Sequence, residues 1–428
     1  MRKRRLIAAG AAAATLLTTM ACGVENKPGG RVAPTNPNVT HQPLPAGAVP
    51  EGVSAIAYLG QRLLPLLQAE APSENLAFSP TSIFLALAMA GDGARGQTTE
   101  AFEKALGLDR ETAHALATEL ITDWAETQAA DQWSGVTMSV ADAAWLAPQL
   151  ELLPTYSSGL KDDYGAEVAT VDFADPGTLA LINEWIADKT NQLIPEMLAE
   201  LDPGLVLMLV NAMYLKAPWL ETFSEEATDN QPFTLSSGEV IEVPTMHGIV
   251  SKGQYFNAAD GSQGAVLPYA NKRFALLAVM PAEGVEQINW ADGLRLNEWL
   301  DQAGPSPALT VSLPKWETGD GTINLIPSLE ALGLGPAFAP DADFGGMVRN
   351  ADGLHISEVK HAAVVKTNET GTEAAAATMV GLEMSAPGGD PATVSFDRPF
   401  VYAIMDLDTG VPLFMGVVAN PVVCVASR

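Results

Sequence analysis

The sequence holds two cysteines, Cys22 and Cys424, in 428 residues. So few thiols exclude a disulfide framework and a cysteine-rich metal centre. Histidine is scarce as well: His41, His114, His247, His355 and His361 form the whole set, and none stands in H-E-x-x-H or a similar zinc spacing. No G-x-S-x-G elbow occurs, which removes the nucleophile of one large hydrolase class. Basic residues number 23 against 51 acidic ones, a formal charge of −28. A surface of that sign repels nucleic acid and anionic lipid. Past residue 21 no apolar run reaches the roughly 18 residues that a spanning helix requires.

What the sequence does contain begins with an address. "MRKRR" is a positive n-region and "LIAAGAAAATLLTTMA" an apolar h-region of 16 residues, so residues 1–21 read as a secretory signal. Cys22 follows at once, and its setting resembles a bacterial lipoprotein signal in which Cys22 is diacylated, with Thr19 where leucine is usual. The alternative is an ordinary cleaved signal. Removal of 1–21 leaves 19 basic and 51 acidic residues, a formal charge of −32. Residues 22–50 are rich in Pro, Gly and Asn without apolar period and read as an extended tether. The expectation is a secreted, extracellular protein, held to a membrane only through Cys22. With Cys22 acylated, Cys424 has no partner for an internal disulfide.

Hydrophobic residues make up 47% of the chain, enough for a large core. "VSAIAYLGQRLLPLLQ" carries helical spacing. In "LAFSPTSIFLALAMAGDGARG" a strand reaches Phe78, Ser79 is a cap, and Ile83 to Ala90 form a buried helix. The G-x-G-x-x-G at Gly91 to Gly96 follows a helix, not a strand, and therefore reads as a helix end and turn, not a dinucleotide site. "LALINEWIADKTNQLIPEML" is read as helix, and "GLVLMLVNAMYL", "GAVLPYA", "RFALLAVMP", "ALTVSLPKWE" and "HAAVVKTNE" as strands. Asp408-Thr409-Gly410 joins two more strands in a hairpin. No repeat and no second linker divides residues 51–421, so one large α+β domain with a tail at 422–428 is expected.

"ETGTEAAAATMVGLEMSA", from Glu369 to Ala386, is a run of small residues interrupted by Gly371 and Gly381. Counted by two, Thr372, Ala374, Ala376, Thr378 and Val380 share one face, while Glu369, Glu373 and Glu383 share the other, expected to face solvent. With "NLAFSPTSIFLALAM", "LVNAMYLKAPWLETF" (Asn211, Lys216, Trp219, Phe223), "LPKWE", "ADFGGM" and "RPFVYAIMDLDTGVPLFMGVVANP", this stretch resembles the serpins, serine protease inhibitors, over about residues 53–421.

The resemblance implies a serpin fold of three β-sheets, about nine helices and an exposed reactive-centre loop near 369–395. It implies a hinge at Glu369, Gly371, Thr372, Glu373, Ala374, Ala375, Ala376, Ala377 and Thr378 that enters a sheet after the loop is cut, the strand addition known of serpins. Gly371 would supply the freedom to swing. Ser79, Ser82, Asn211 and His361 would form a polar cluster under the opening, bonding across the strands that part. The implied partner is a target serine protease, trapped as a covalent acyl-enzyme by a monomeric inhibitor; no enzyme activity, metal or cofactor is expected of the chain itself. The reactive bond falls at Met384–Ser385 or at Ser385–Ala386, and Met384 favours chymotrypsin-, elastase- or subtilisin-like targets. A non-inhibitory serpin acting as a binding or carrier module is the alternative. Gln192 stands where the family usually has glycine, and the acidic "ELITDWAETQAADQWSG" argues against polyanion activation.

Overall fold

The computed structural model describes residues 54–129, 134–282, 296–306, 308–318, 322–372 and 392–422, all within one compact unit. The signal, the tether with Cys22, the tail with Cys424, and residues 373–391 lie outside the described residues.

Helix Pro80–Asp92 is the axle of the fold. Ser79 accepts a hydrogen bond from the Ser82 N–H and Pro80 opens the first turn, a helix start of the expected kind. Ile83, Phe84, Leu85, Leu87, Ala88 and Met89 are all buried, so the helix is apolar around its circumference and has a sheet on either side. One is a seven-stranded sheet in the order Leu76–Phe78, Val411–Val418, Phe400–Asp406, Phe274–Met280, Gln263–Pro268, Gln254–Asn257, Gly304–Pro305. Its central strands are buried at every position and are apolar throughout except at Asp406, which pairs with Arg273. The other is a six-stranded sheet in the order Trp316–Glu317, Lys366–Asn368, Gly371–Thr372, Leu207–Pro218, Thr137–Leu146, Glu167–Thr170. Its far face is covered by helix Pro176–Lys189, where Ile182 and Ile186 meet Ala143, Trp145 and Val210.

A four-stranded sheet (Thr393–Ser395, Leu309–Pro314, Val240–Val250, Asp229–Thr234) and a two-stranded ribbon (Ile323–Asn324, Lys360–His361) complete the sheets among the described residues. Helices Ala55–Glu70, Gly96–Leu106, Arg110–Ala129, Pro154–Asp162 and Leu296–Gln302 and a kinked helical stretch at 326–338 bring the described helices to eight, against about nine expected. No described helix is long and apolar enough to cross a membrane.

Two readings are corrected. "LALINEWIADKTNQLIPEML" is helical only to Lys189, because Asn191 and Gln192 turn left-handed at φ 50 and 64. Gln192 thus occupies a conformation that glycine adopts without strain. "HAAVVKTNE" is not one strand: residues 362–365 lie between the paired segments Lys360–His361 and Lys366–Asn368. The hairpin at Asp408 to Gly410 is as read, with Gly410 at φ 69.

Candidate functional site: a hinge and the sheet it enters

Strand Lys366–Asn368 ends in a turn at Glu369 and Thr370, and Gly371–Thr372 runs back beside it. The Asn368 side-chain oxygen accepts from the Thr370 N–H at 2.9 Å and its hydroxyl at 2.7 Å, which closes the turn locally. On its other edge this short segment pairs with strand Leu207–Pro218, Gly371 opposite Pro218 and Thr372 opposite Ala217. The hinge therefore sits between two strands that have no direct pairing among the described residues. Gly371 has φ 148, and a Cβ there would collide with the Ala217 carbonyl oxygen and lie 2.7 Å from Pro218 Cα. Glycine is required by space as well as by conformation.

Aromatic side chains hold this end. The Trp219 indole N–H donates to the Asn368 carbonyl at 2.9 Å, and its ring stacks on Tyr269 at 4.7 Å. The Tyr269 and Thr372 hydroxyls share a hydrogen bond of 2.6 Å. Glu369 is 6% exposed, which corrects the expected solvent-facing position. The two-residue turn breaks the strand alternation, so parity counted from Thr372 does not carry back to Glu369. Lys315 Nζ lies 2.9 Å from Oε2, and the Thr228 hydroxyl donates to Oε1 at 2.8 Å. Burial pushes the Glu369 carboxyl up, but the Lys315, backbone and Thr228 hydrogen bonds overcome it and hold the group below the usual range.

The first turn of helix Pro80–Asp92 meets strand Leu207–Pro218 and the short segment Lys360–His361. The Ser79 N–H donates to His361 Nε2 at 3.0 Å, and the Ser79 hydroxyl to the Leu413 carbonyl at 2.7 Å. The Ser82 hydroxyl donates to Asn211 Oδ1, and Asn211 Nδ2 donates to Asp142 Oδ1 at 2.7 Å. Ser79, Ser82, Asn211 and His361 are thus one hydrogen-bonded group. The links run through the helix start: among the described residues Asn211 and His361 bond to the two serines, not to each other across the slot. Burial pushes His361 down to about 4, so it is a neutral acceptor near pH 7.

Beneath this group lies a cavity of about 100 Å³, with Ser82, Asn211 and His361 on its wall beside Ile83, Leu209 and Phe344. Nothing in it pairs a nucleophile with a base, and no described cluster of His, Cys, Asp and Glu is suited to a metal. The cavity wall combines these apolar side chains with the polar Ser357, Glu358 and Lys360.

Of the predicted residues, Glu369, Gly371 and Thr372 stand at the slot. Glu373, Ala374, Ala375, Ala376, Ala377, Thr378, Met384, Ser385, Ala386 and Cys22 lie outside the described residues. Sequence reasoning missed Asp142, Thr228, Tyr269 and Lys315. Lys315 was inside the quoted "LPKWE", but only the folded chain brings it to Glu369.

Residues 54–421 match the Serpin (serine protease inhibitor) family. The chain is 30% identical over 376 residues to "Serine protease inhibitor" of Cyanea capillata, covering 86% of this chain and 96% of that protein. It is 34% identical over 370 residues to Iripin-2 of Ixodes ricinus, covering 83% and 90%. Among solved structures it resembles tengpin, a thermophilic serpin in the native state, at TM-score 0.71 and 29% identity, covering 81% and 89%. Thyroxine-binding globulin in complex with thyroxine gives TM-score 0.74 and 25% identity, covering 86% and 98%. This chain belongs to the serpin family, whose members are generally protease inhibitors and not enzymes.

Proposed function

We propose that the chain is a suicide inhibitor of extracellular serine proteases, acting as a monomer and tethered to a bacterial surface through acylated Cys22. The observation that carries this reading is the seat of Gly371–Thr372 between strands Leu207–Pro218 and Lys366–Asn368. A hinge already threaded into the top of the slot needs only a free end to continue downward, and the residues that follow, Ala374 to Ala377, are small. In the reaction the target's serine attacks the carbonyl of Met384, an acyl ester forms, and the amine of Ser385 leaves with the C-terminal fragment. Ser385–Ala386 is the neighbouring choice of bond. Insertion of the hinge then outruns water, and the protease stays esterified.

Mixing the purified domain with chymotrypsin, elastase and subtilisin tests this on a denaturing gel. A boiling-resistant band at the summed mass is expected. Clipped protein alone would end the reading in favour of a binding or carrier module, for which the likeness to thyroxine-binding globulin is the supporting observation. Terminal sequencing of the released fragment identifies the bond, with Ser385 the expected first residue. Detergent partition of the full chain before and after Cys22→Ala tests the anchor.

A further inference from the structure

Along one edge, Leu207, Met208, Leu209 and Val210 pair with strand Thr137–Leu146. Their other edge has no strand partner among the described residues, because the pairing with Gly371–Thr372 reaches only Pro218 and Ala217. The cavity of about 100 Å³ is lined by Leu207, Leu209 and Asn211 of that strand and by residues 354–361.

This cavity carries an unanswered donor. The Ser79 N–H donates to His361 Nε2, so Nε2 holds no proton and the ring hydrogen is on Nδ1. His361 is buried on the cavity wall, and no described residue bonds its Nδ1. Nor is Nδ1 one of the unpartnered atoms that protein seals off, so its N–H meets open cavity. Asn211 spends one of its two N–H groups on Asp142 and has the other to offer.

Donors without acceptors select a ligand that accepts. They do not select an anion: Asp142 and Glu358 stand beside the site, Lys360 is paired with Glu358 at 3.1 Å, and His355 turns Nδ1 to the Gly353 carbonyl. A carboxylate there would lose its water without gaining a cation. Around the donors the wall is apolar, with Ile83, Leu87, Met347 and Leu354. Water beside such a wall has few partners, and an apolar body that displaces it gains affinity. An apolar cavity of about 150 Å³ takes up benzene, so this one admits a ring or chain of about six heavy atoms.

We propose that the cavity is a binding site for a small uncharged molecule with an apolar body and a carbonyl oxygen, which accepts from His361 Nδ1–H and slows insertion by occupying space the entering strand must fill. The regulatory half rests on the inhibitor reading, while the binding half stands on the cavity alone. Continued in the register set by Gly371 opposite Pro218 and Thr372 opposite Ala217, an entering strand brings Thr378 opposite Asn211 and Val380 opposite Leu209. Directly opposed residues share a face of the sheet, so both side chains need the volume the ligand takes. Bound ligand therefore turns trapped protease into clipped inhibitor.

The test titrates the purified full chain with cyclohexanone, benzene and cyclohexanecarboxylate, following methyl groups by ¹H–¹³C NMR. Ligands of this size bind in roughly the millimolar range, which sets the concentrations. Cyclohexanone should shift the methyl signals of Ile83, Leu87, Leu209 and Leu354, benzene should bind about fivefold more weakly for want of an acceptor, and the carboxylate should not bind. His361→Phe should bring cyclohexanone down to the level of benzene. Shifts elsewhere or none, equal affinities for cyclohexanone and benzene, or tighter binding of the carboxylate overturn the site. Should the variant not fold, the comparison of the three probes on wild type decides. On gels with chymotrypsin, saturating cyclohexanone should raise the ratio of clipped chain to complex severalfold, with hydrolysis of a small chymotrypsin substrate as the control. An unchanged ratio with NMR binding intact overturns the regulatory half. If no complex forms with any protease in the absence of probe, the inhibitor reading fails by itself and the NMR titration still decides the site.

Discussion

Replacing Gly371 by alanine perturbs one atom at the point where the hinge enters the sheet. The added Cβ would collide with the Ala217 carbonyl oxygen and approach Pro218 Cα to 2.7 Å, at a backbone φ of 148 that L residues rarely adopt. The protein then has two escapes. It can keep the hinge seated and bear the strain, which costs about 1–3 kcal/mol for the conformation before any backbone shift. Or it can release Gly371–Thr372, losing the pairing to both neighbouring strands and the 2.6 Å bond between the Thr372 and Tyr269 hydroxyls. Two to three hydrogen bonds at about 1 kcal/mol each put this route at about 2–3 kcal/mol. Gly371→Ala should therefore destabilise the intact chain by about 2–3 kcal/mol, a fall of roughly 3–4 °C in melting temperature at an unfolding entropy of about 2.1 cal/mol/K per residue. Differential scanning fluorimetry of the intact chain reads the fall. Protease titration on gels reads the consequence for function, since a hinge that cannot slide past Ala217 leaves more clipped inhibitor per complex. A variant that melts with wild type and forms complexes at the same ratio would refute the seated hinge.

Lys315→Met should leave Glu369 buried without its cation and destabilise the chain by about 1–3 kcal/mol at neutral pH. Because the Glu369 carboxyl is held below its ordinary value, its contribution is present above about pH 4.5 and lost on acidification, so the gap between variant and wild type should narrow in acid denaturation series. His361, lowered to about 4, contributes stability above its unfolded value of 6.5 that is lost as pH falls through about 4. His361→Gln should remove up to about 3 kcal/mol of acid sensitivity between those limits, seen in urea titrations at stepped pH. Gln192→Gly should raise stability by about 1 kcal/mol by relieving φ 64, and an unchanged urea midpoint would show that no strain is stored there.

Much of the fold is legible in local sequence patterns. The cap at Ser79, the buried helix after it and the hairpin closed by Gly410 follow from patterns only a few residues long. The apolar pattern predicts a helix that runs past Lys189, because the signal that ends helix Pro176–Lys189 is a pair of left-handed polar residues, Asn191 and Gln192, in place of a glycine. The hinge was visible as a composition, small residues beside Gly371. Its neighbours were not: Lys315 lies 54 residues before Glu369, Tyr269 lies 103 before Thr372, and Asp142 lies 69 before Asn211.

By itself the sequence determined what local chemistry can specify: caps, turns, periodic apolar faces, and a run of small residues beside Gly371. Only the tertiary structure decided that Glu369 is buried against Lys315, that Gly371 has no room for a methyl group, and that a carboxyl at 142 sits behind Asn211. Those outcomes depend on which distant strands are brought side by side. That choice is made by the packing of the whole core, through contacts that no short stretch of the chain contains.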